Sequence, residues 1–203
     1  MGGPALALFA VAFLAVLAAG CSYTVVVTKP GPSFDPNATD RPIGATPWPN
    51  GTTGANGLRI DPSLSGHLPS YVGGNPLVED AGSELIDVAN NSYAQGFDSM
   101  YVAQVGDITS LNWVQATLAS VKGGVIDPGF YTSWRDHWFK IACSQAGGVS
   151  ATATAAIQDW DTDTATCSGG VRAYTVNLGD GLLLSIIDLG PRNLGRELIQ
   201  ALP

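Results

Sequence analysis

The chain is poor in charge, and poorer still in basic residues. Asp, Glu, Lys and Arg make up only 13% of its 203 residues, and nine Lys and Arg face seventeen Asp and Glu. The resulting formal net charge of -8 repels phosphate backbones and anionic headgroups, so neither nucleic acid nor a polybasic membrane contact is expected. Histidine is limited to His67 and His137, and cysteine to Cys21, Cys143 and Cys167, with no Cys-x-x-Cys spacing. That inventory argues against a metal centre or a redox pair. A Gly-x-Ser-x-Gly elbow, a Walker loop, a His-Glu-x-x-His pair and a dinucleotide fingerprint are all missing. No cofactor and no catalytic residue is therefore expected, and no internal repeat is present.

What is there begins with an apolar run. Ala5 to Ala19 contain only Ala, Leu, Val and Phe, and Cys21 follows directly after Gly20. Fifteen residues fall short of the roughly 20 that a helix needs to cross a bilayer. The length suits the apolar region of a secretory signal with a processing site at its end. Leu17-Ala18-Ala19-Gly20-Cys21 resembles the lipobox of bacterial lipoproteins. The resemblance implies a diacylglycerol on the Cys21 thiol, cleavage before that cysteine, and a domain held on the extracytoplasmic face of the cell membrane. Met1-Gly2-Gly3-Pro4 carries no Lys or Arg, and the first basic residue is Lys29. A signal is normally oriented by such a charge, so a start upstream of Met1 is anticipated. An uncleaved signal anchor is the alternative, and it leaves the domain on the same side.

Residues 1–20 are thus expected to be a signal peptide and 21–57 a lipidated cysteine with a tether. The segment from Ser22 to Gly57 is rich in Pro, Gly, Thr and Asn and has almost no apolar periodicity. Such a sequence cannot bury enough surface to offset its ordering entropy. As a flexible coil of 36 residues it would average about 30–35 Å end to end. Val25-Val26-Val27 and Trp48 interrupt its polarity, as candidates to rest on the membrane or the domain. Asn37-Ala38-Thr39 and Asn50-Gly51-Thr52 match glycosylation sequons, which carry little meaning in a bacterial lipoprotein.

Residues 58–203 suffice for one globular domain. Ser83 can cap a helix from Glu84, with Leu85, Ile86 and Ala89 on one face, broken at Asn90-Asn91-Ser92. Tyr93, Phe97, Met100 and Tyr101 then follow a helical spacing, and Asn112 to Val121 alternate as a strand. Asp127-Pro128 is the clearest helix start, a capping carboxylate before proline at the first helical position. Phe130, Trp134, Trp138 and Ile141 form an aromatic core face of that helix, which stops at Gly147-Gly148. The period then changes to two. Val149–Ile157, Thr164–Ser168, Val171–Leu178 and Leu182–Leu189 read as strands, with Gly179-Asp180-Gly181 as a hairpin turn. Leu182 to Ile187 are apolar on both faces and belong at the centre of a sheet. Pro191 opens a last helix with Leu194, Leu198 and Leu202 inward. The expected class is α+β, an antiparallel sheet of about five strands packed with helices.

With Cys21 assigned to lipid, Cys143 and Cys167 remain, and two thiols in an oxidising compartment are expected to pair. Two segments could carry chemistry. Asp159-Trp160-Asp161-Thr162-Asp163 spaces three carboxylates like the start of a calcium loop, but Thr164 and Gly170 stand where that loop needs Gly and Glu. A polar turn between strands is the preferred reading. Trp134-Arg135-Asp136-His137-Trp138 is the densest polar cluster, and Arg135, Asp136 and His137 are the candidate ligand-binding residues. On a helix Arg135 and Asp136 splay apart, whereas Tyr131 and Arg135 share a face. No activated Ser stands beside His137 in the sequence, so a surface helix pinned by Arg135 or Asp136 is preferred over a site.

Ile60-Asp61-Pro62-Ser63-Leu64, Leu68-Pro69, Val72-Gly73-Gly74 and Glu79-Asp80, with Phe130 to Val149 and Cys167 to Tyr174, resemble a set of uncharacterised exported proteins of actinobacteria and Chloroflexi. A Trp-Arg-Asp helix, a Cys-x-Gln-Ala-Gly-Gly turn and a later Cys-x-Gly-Gly recur in them. The resemblance supports the Cys143–Cys167 bridge and implies no activity. The order of elements is also loosely similar to the PsbP-like fold, an analogy of topology alone. The expected function is a non-catalytic binding or accessory module at the cell envelope, with the membrane as partner and an envelope protein as a further candidate. The alternative is a small envelope hydrolase using the Trp134–Trp138 region. A solute-binding subunit is disfavoured, because 146 residues hardly make two lobes.

Overall fold

Strands that alternate Ala or Thr with larger apolar residues build most of this domain, and two amphipathic helices cover the sheet they form. A computed structural model describes residues 58–80, 95–107 and 111–203. The signal segment, the tether and the helix expected from Glu84 lie outside the described residues. In chain order the short strands are β1 (Arg59–Ile60), β2 (Tyr71–Val72), β3 (Asn75–Pro76) and β4 (Val78–Glu79). The long ones are β5 (Phe97–Asp107), β6 (Asn112–Val121), β7 (Val149–Ile157), β8 (Trp160–Cys167), β9 (Val171–Gly179) and β10 (Leu182–Leu189). Among the described residues the helices are α1 (Pro128–Ser144) and α2 (Leu194–Gln200), with 3-10 turns over Pro62–His67 and Lys122–Gly124.

The mixed α+β class holds, but the sheet is larger than about five strands. Eight strands run in the order β1-β5-β6-β10-β9-β8-β7, with β4 added beside β5. Every pairing is antiparallel except β1 with β5, and β2 with β3 form a separate hairpin. As expected from its two apolar faces, β10 lies at the middle of the path. The helical spacing assigned to Phe97–Tyr101 is overturned, because this segment is β5. Phe97, Met100 and Val102 enter one core cluster while Tyr101, Ala103 and Val105 enter the other. A strand buried on both faces shows no polar alternation, so its apolar residues imitate other periods. A register shift between Phe97 and Ser99 also breaks the two-residue period where the helix was read.

The sheet separates two cores. On one face α1 lays Trp134, Trp138, Phe139 and Cys143 over Met100, Ala119, Ala165, Ala173 and Leu183. On the other, Leu64, Leu68 and Val72 join Leu194, Leu198 and Ile199 of α2 over Val114, Leu118, Val176 and Ile186. Asp127 caps α1, its carboxylate accepting the Phe130 amide at 2.9 Å, as the sequence suggested. Ile141 is not on the inner face; it is 40% exposed, and Phe139 is buried in its stead. The Cys143–Cys167 disulfide, with Cα atoms 5.1 Å apart, ties the end of α1 to β8. That tie turns the 139 and 143 positions toward the sheet and leaves 141 outside.

Two boundaries also move. The acidic run is not a turn: only Gln158 and Asp159 turn, and β8 starts at Trp160. The last helix starts at Leu194 rather than Pro191, after Asn193 in the left-handed region at φ 58°. That late start sets the backbone amides of Leu194 and Gly195 against Asp188, which is fully buried and whose charged form they favour. Arg172 closes the same carboxylate from the neighbouring strand at 3.0 Å and also donates to the Gly190 carbonyl at 3.1 Å. Gly195 is required there, since a Cβ would stand 2.7 Å from the Tyr174 ring and 3.0 Å from Asp188.

Candidate functional site

The strand registers assemble a polar cleft where the sheet runs out from under the N-terminus of α1. Thr154 of β7, Asp163 of β8 and Thr175 of β9 are cross-strand partners in one row. Residues two apart on a strand share a face, so Asp161 and Asn177 continue the same side. The first turn of α1 brings Tyr131 over this row. The cleft has a volume of about 350 Å³ and is lined by Tyr131, Thr154, Asp161, Asp163, Asn177 and Gly179.

Asp163 is its floor. Only 8% of it is exposed, and a carboxylate that far from water needs donors. The Tyr131 hydroxyl donates to one oxygen at 3.0 Å, and the Thr154 hydroxyl donates to the other. Arg135, one helical turn after Tyr131, stands 3.6 Å from the same carboxylate. Burial, and secondarily the charge of Asp163, push the Tyr131 phenol up to about 12. It therefore stays protonated and serves as a donor. Asp161 is exposed at the rim, which leaves its carboxylate facing solvent.

The expected cluster Arg135, Asp136 and His137 is only partly brought together here. Arg135 does not splay from Asp136: its Nε and a terminal nitrogen both donate to one Asp136 oxygen, at 2.9 and 2.8 Å. The guanidinium bridges the exposed Asp136 and the buried Asp163, and so pins a strand. Tyr131 and Arg135 share a face as the helical spacing required. His137 packs beside Trp134, with ring centroids 6.2 Å apart, and it does not line the cleft. Burial first, and Lys140 second, lower its pKa. Trp134 and Trp138 point inward and donate to Ser185 Oγ and the Ile186 carbonyl, which fixes the helix over the sheet. Thr154, Thr175 and Asn177 were not singled out from the sequence. Their common signal is the two-residue period of β7 and β9, legible only once the register across β8 is known.

Among the described residues no three His, Cys, Asp or Glu side chains converge on a metal position. None of their helices is long and apolar enough to cross a membrane. Replacing Tyr131 by Phe is expected to lower stability by about 1–2 kcal/mol, the loss of a hydrogen bond to a buried charge. Denaturant titration would show a shifted midpoint with an unchanged slope; an unmoved midpoint would mean that water replaces the phenol at no loss. No protein-family model matches the chain, no curated protein matches it in sequence, and no solved structure matches its fold.

Proposed function

We propose that this chain is an exported, lipid-anchored binding module, held at the extracytoplasmic face of the membrane through Cys21. The Tyr131–Asp163 cleft is its ligand seat. The observation that carries the binding role is the state of Asp163. Its carboxylate is held by two hydroxyl donors and the Arg135 charge, so its oxygens are fixed in place as an acceptor wall. Asp161, Asn177 and Asp163 present oxygen acceptors across an open polar hollow. Such a lining suits a small ligand rich in hydroxyl or ammonium donors, and the net charge of -8 disfavours anions.

The anchor rests on the lipobox-like Leu17–Cys21 segment and the tether behind it. Cells grown with labelled palmitate should label the protein, and Cys21→Ser should lose the label; a label that survives the substitution sinks the anchor. The seat is tested separately by thermal unfolding against panels of neutral sugars, polyols and amines. A ligand at a hundred times its Kd would stabilise the fold by about 2.7 kcal/mol. Asp161→Ala should abolish that gain without changing the unliganded melting temperature.

A further inference from the structure

Among the described residues β7 is the last strand of the sheet. Among the described residues it pairs only with β8. Eight of its nine residues are exposed, and only Ile157 is buried. Because side chains alternate across a strand, exposure from Val149 to Ala156 means that both faces of this stretch reach solvent. Edges of this kind are usually blunted by Lys, Pro, inward charges or bulges. Val149–Ile157 contains no charged residue and no proline, and its single register shift falls at the Val149–Ala151 end. Among the described residues nothing pairs with the outer backbone donors and acceptors of the remaining stretch.

We propose that β7 is a self-association edge, pairing antiparallel with β7 of a second copy about a two-fold axis at Ala153. The sequence favours the second copy over an unrelated strand, because it reads nearly the same in both directions around that residue. Ala151-Thr152-Ala153-Thr154-Ala155 is a palindrome, and Ser150 against Ala156 and Val149 against Ile157 extend it with residues of similar size. In an isologous contact residue i meets j and j meets i, and about Ala153 each residue so paired is identical or similar in size. Thr152 meets Thr154 of the second copy, a favourable cross-strand pair, and Ala153 meets its own equivalent. Two copies each carrying a net -8 repel, and β7 offers them a neutral approach. One strand pairing buries less than the about 1,200–2,000 Å² of a stable free-standing dimer, so association is weak in solution and grows with local concentration, as attachment to a shared surface would supply. This inference does not depend on lipid at Cys21 or on a ligand in the cleft.

The test uses the full chain in detergent, carrying Cys21→Ser so that Cys143 and Cys167, paired with each other, leave no free thiol. Directly opposed residues of an antiparallel pair have Cα atoms about 4.5–5.5 Å apart, within disulfide reach. Ala153→Cys should therefore yield a covalent dimer on mild oxidation. Ala151→Cys, four residues out of register with its own equivalent, should give at least ten-fold less. Ala153→Lys, at an exposed position, should keep the melting temperature and abolish the concentration-dependent mass increase seen by light scattering. A chain that stays monomeric from micromolar to hundreds of micromolar, equal cross-linking at 151 and 153, or a dimer indifferent to Ala153→Lys would each overturn the proposal.

Discussion

Replacing Arg172 by Met is expected to destabilise the domain by about 3–5 kcal/mol at neutral pH, the range found when one partner of a buried ion pair is removed. Asp188 is fully buried, and Arg172 is the cation against it. Domains of this size are stable by roughly 5–15 kcal/mol in total, so the variant would stand near the edge of folding. Met keeps much of the apolar stem and isolates the charge. The effect should also depend on pH. Burial raises the Asp188 pKa above the ordinary carboxylate value, and Arg172 opposes that rise. For a carboxyl raised in the folded state, the stability it contributes is present below the unfolded value and is lost as pH rises through the folded value. Without Arg172 the folded value rises further. The gap between the two proteins should therefore be small near pH 4 and widen toward pH 7. Urea titrations across that interval measure it. A gap constant with pH would assign the loss to packing and to the Gly190 carbonyl contact, not to the charge. Adding Asp188→Asn to the Arg172→Met chain should recover part of the loss, a coupling that independent sites do not show.

That pair was invisible in the sequence, and the reason is general to this fold. Arg172 and Asp188 are 16 residues apart, on strands whose pairing depends on the Gly179–Gly181 hairpin. The turn itself was legible, and so were both strands, but not which residues stand opposite each other; a shift of one residue inverts every face. The same holds at the cleft. Tyr131 and Arg135 could be placed together from helical spacing, and the carboxylates of the Asp159–Asp163 run stood out. Their meeting at Asp163 required the tilt of α1 over β8 and β9, which comes from Trp134 reaching Ser185 and Trp138 reaching Ile186.

Local chemistry was the most readable layer. Asp127-Pro128 opened a helix because a carboxylate cap and a preset φ act within one turn. The segments after Val149 were legible as strands from their two-residue spacing and the Gly179–Gly181 turn, although β7 is exposed on both faces and β10 is buried on both. Where both faces are buried, as in β5, the period vanished and the residues 97, 100 and 101 mimicked a helix. The two-residue strands β1 and β4 were missed for another cause: a strand that short has no period, and exists only because β5 offers it an edge.

Removing the disulfide with Cys143→Ala and Cys167→Ala together should lower stability by about 3.5 kcal/mol, the chain-entropy value for closing a loop of this length. The bridge spans 24 residues, and for a domain of this size that loss corresponds to a melting temperature roughly 10 °C lower. Most of the effect should arise in the unfolded chain. In the native state the same corner is closed by backbone bonds, Ser168 N to the Gly148 carbonyl at 3.0 Å and Gly169 N to the Ala146 carbonyl at 2.7 Å. Helix α1 keeps its other fastenings, Trp134 to Ser185 and Tyr131 to Asp163. Two signatures distinguish this origin from a damaged fold. The denaturant slope should increase, because the unlinked chain exposes more surface when it unfolds. The native near-ultraviolet signal of Trp134 and Trp138 should be unchanged at low temperature. Loss of that signal would instead mean that the bridge holds α1 on the sheet, and the Tyr131–Asp163 contact would then fail along with it.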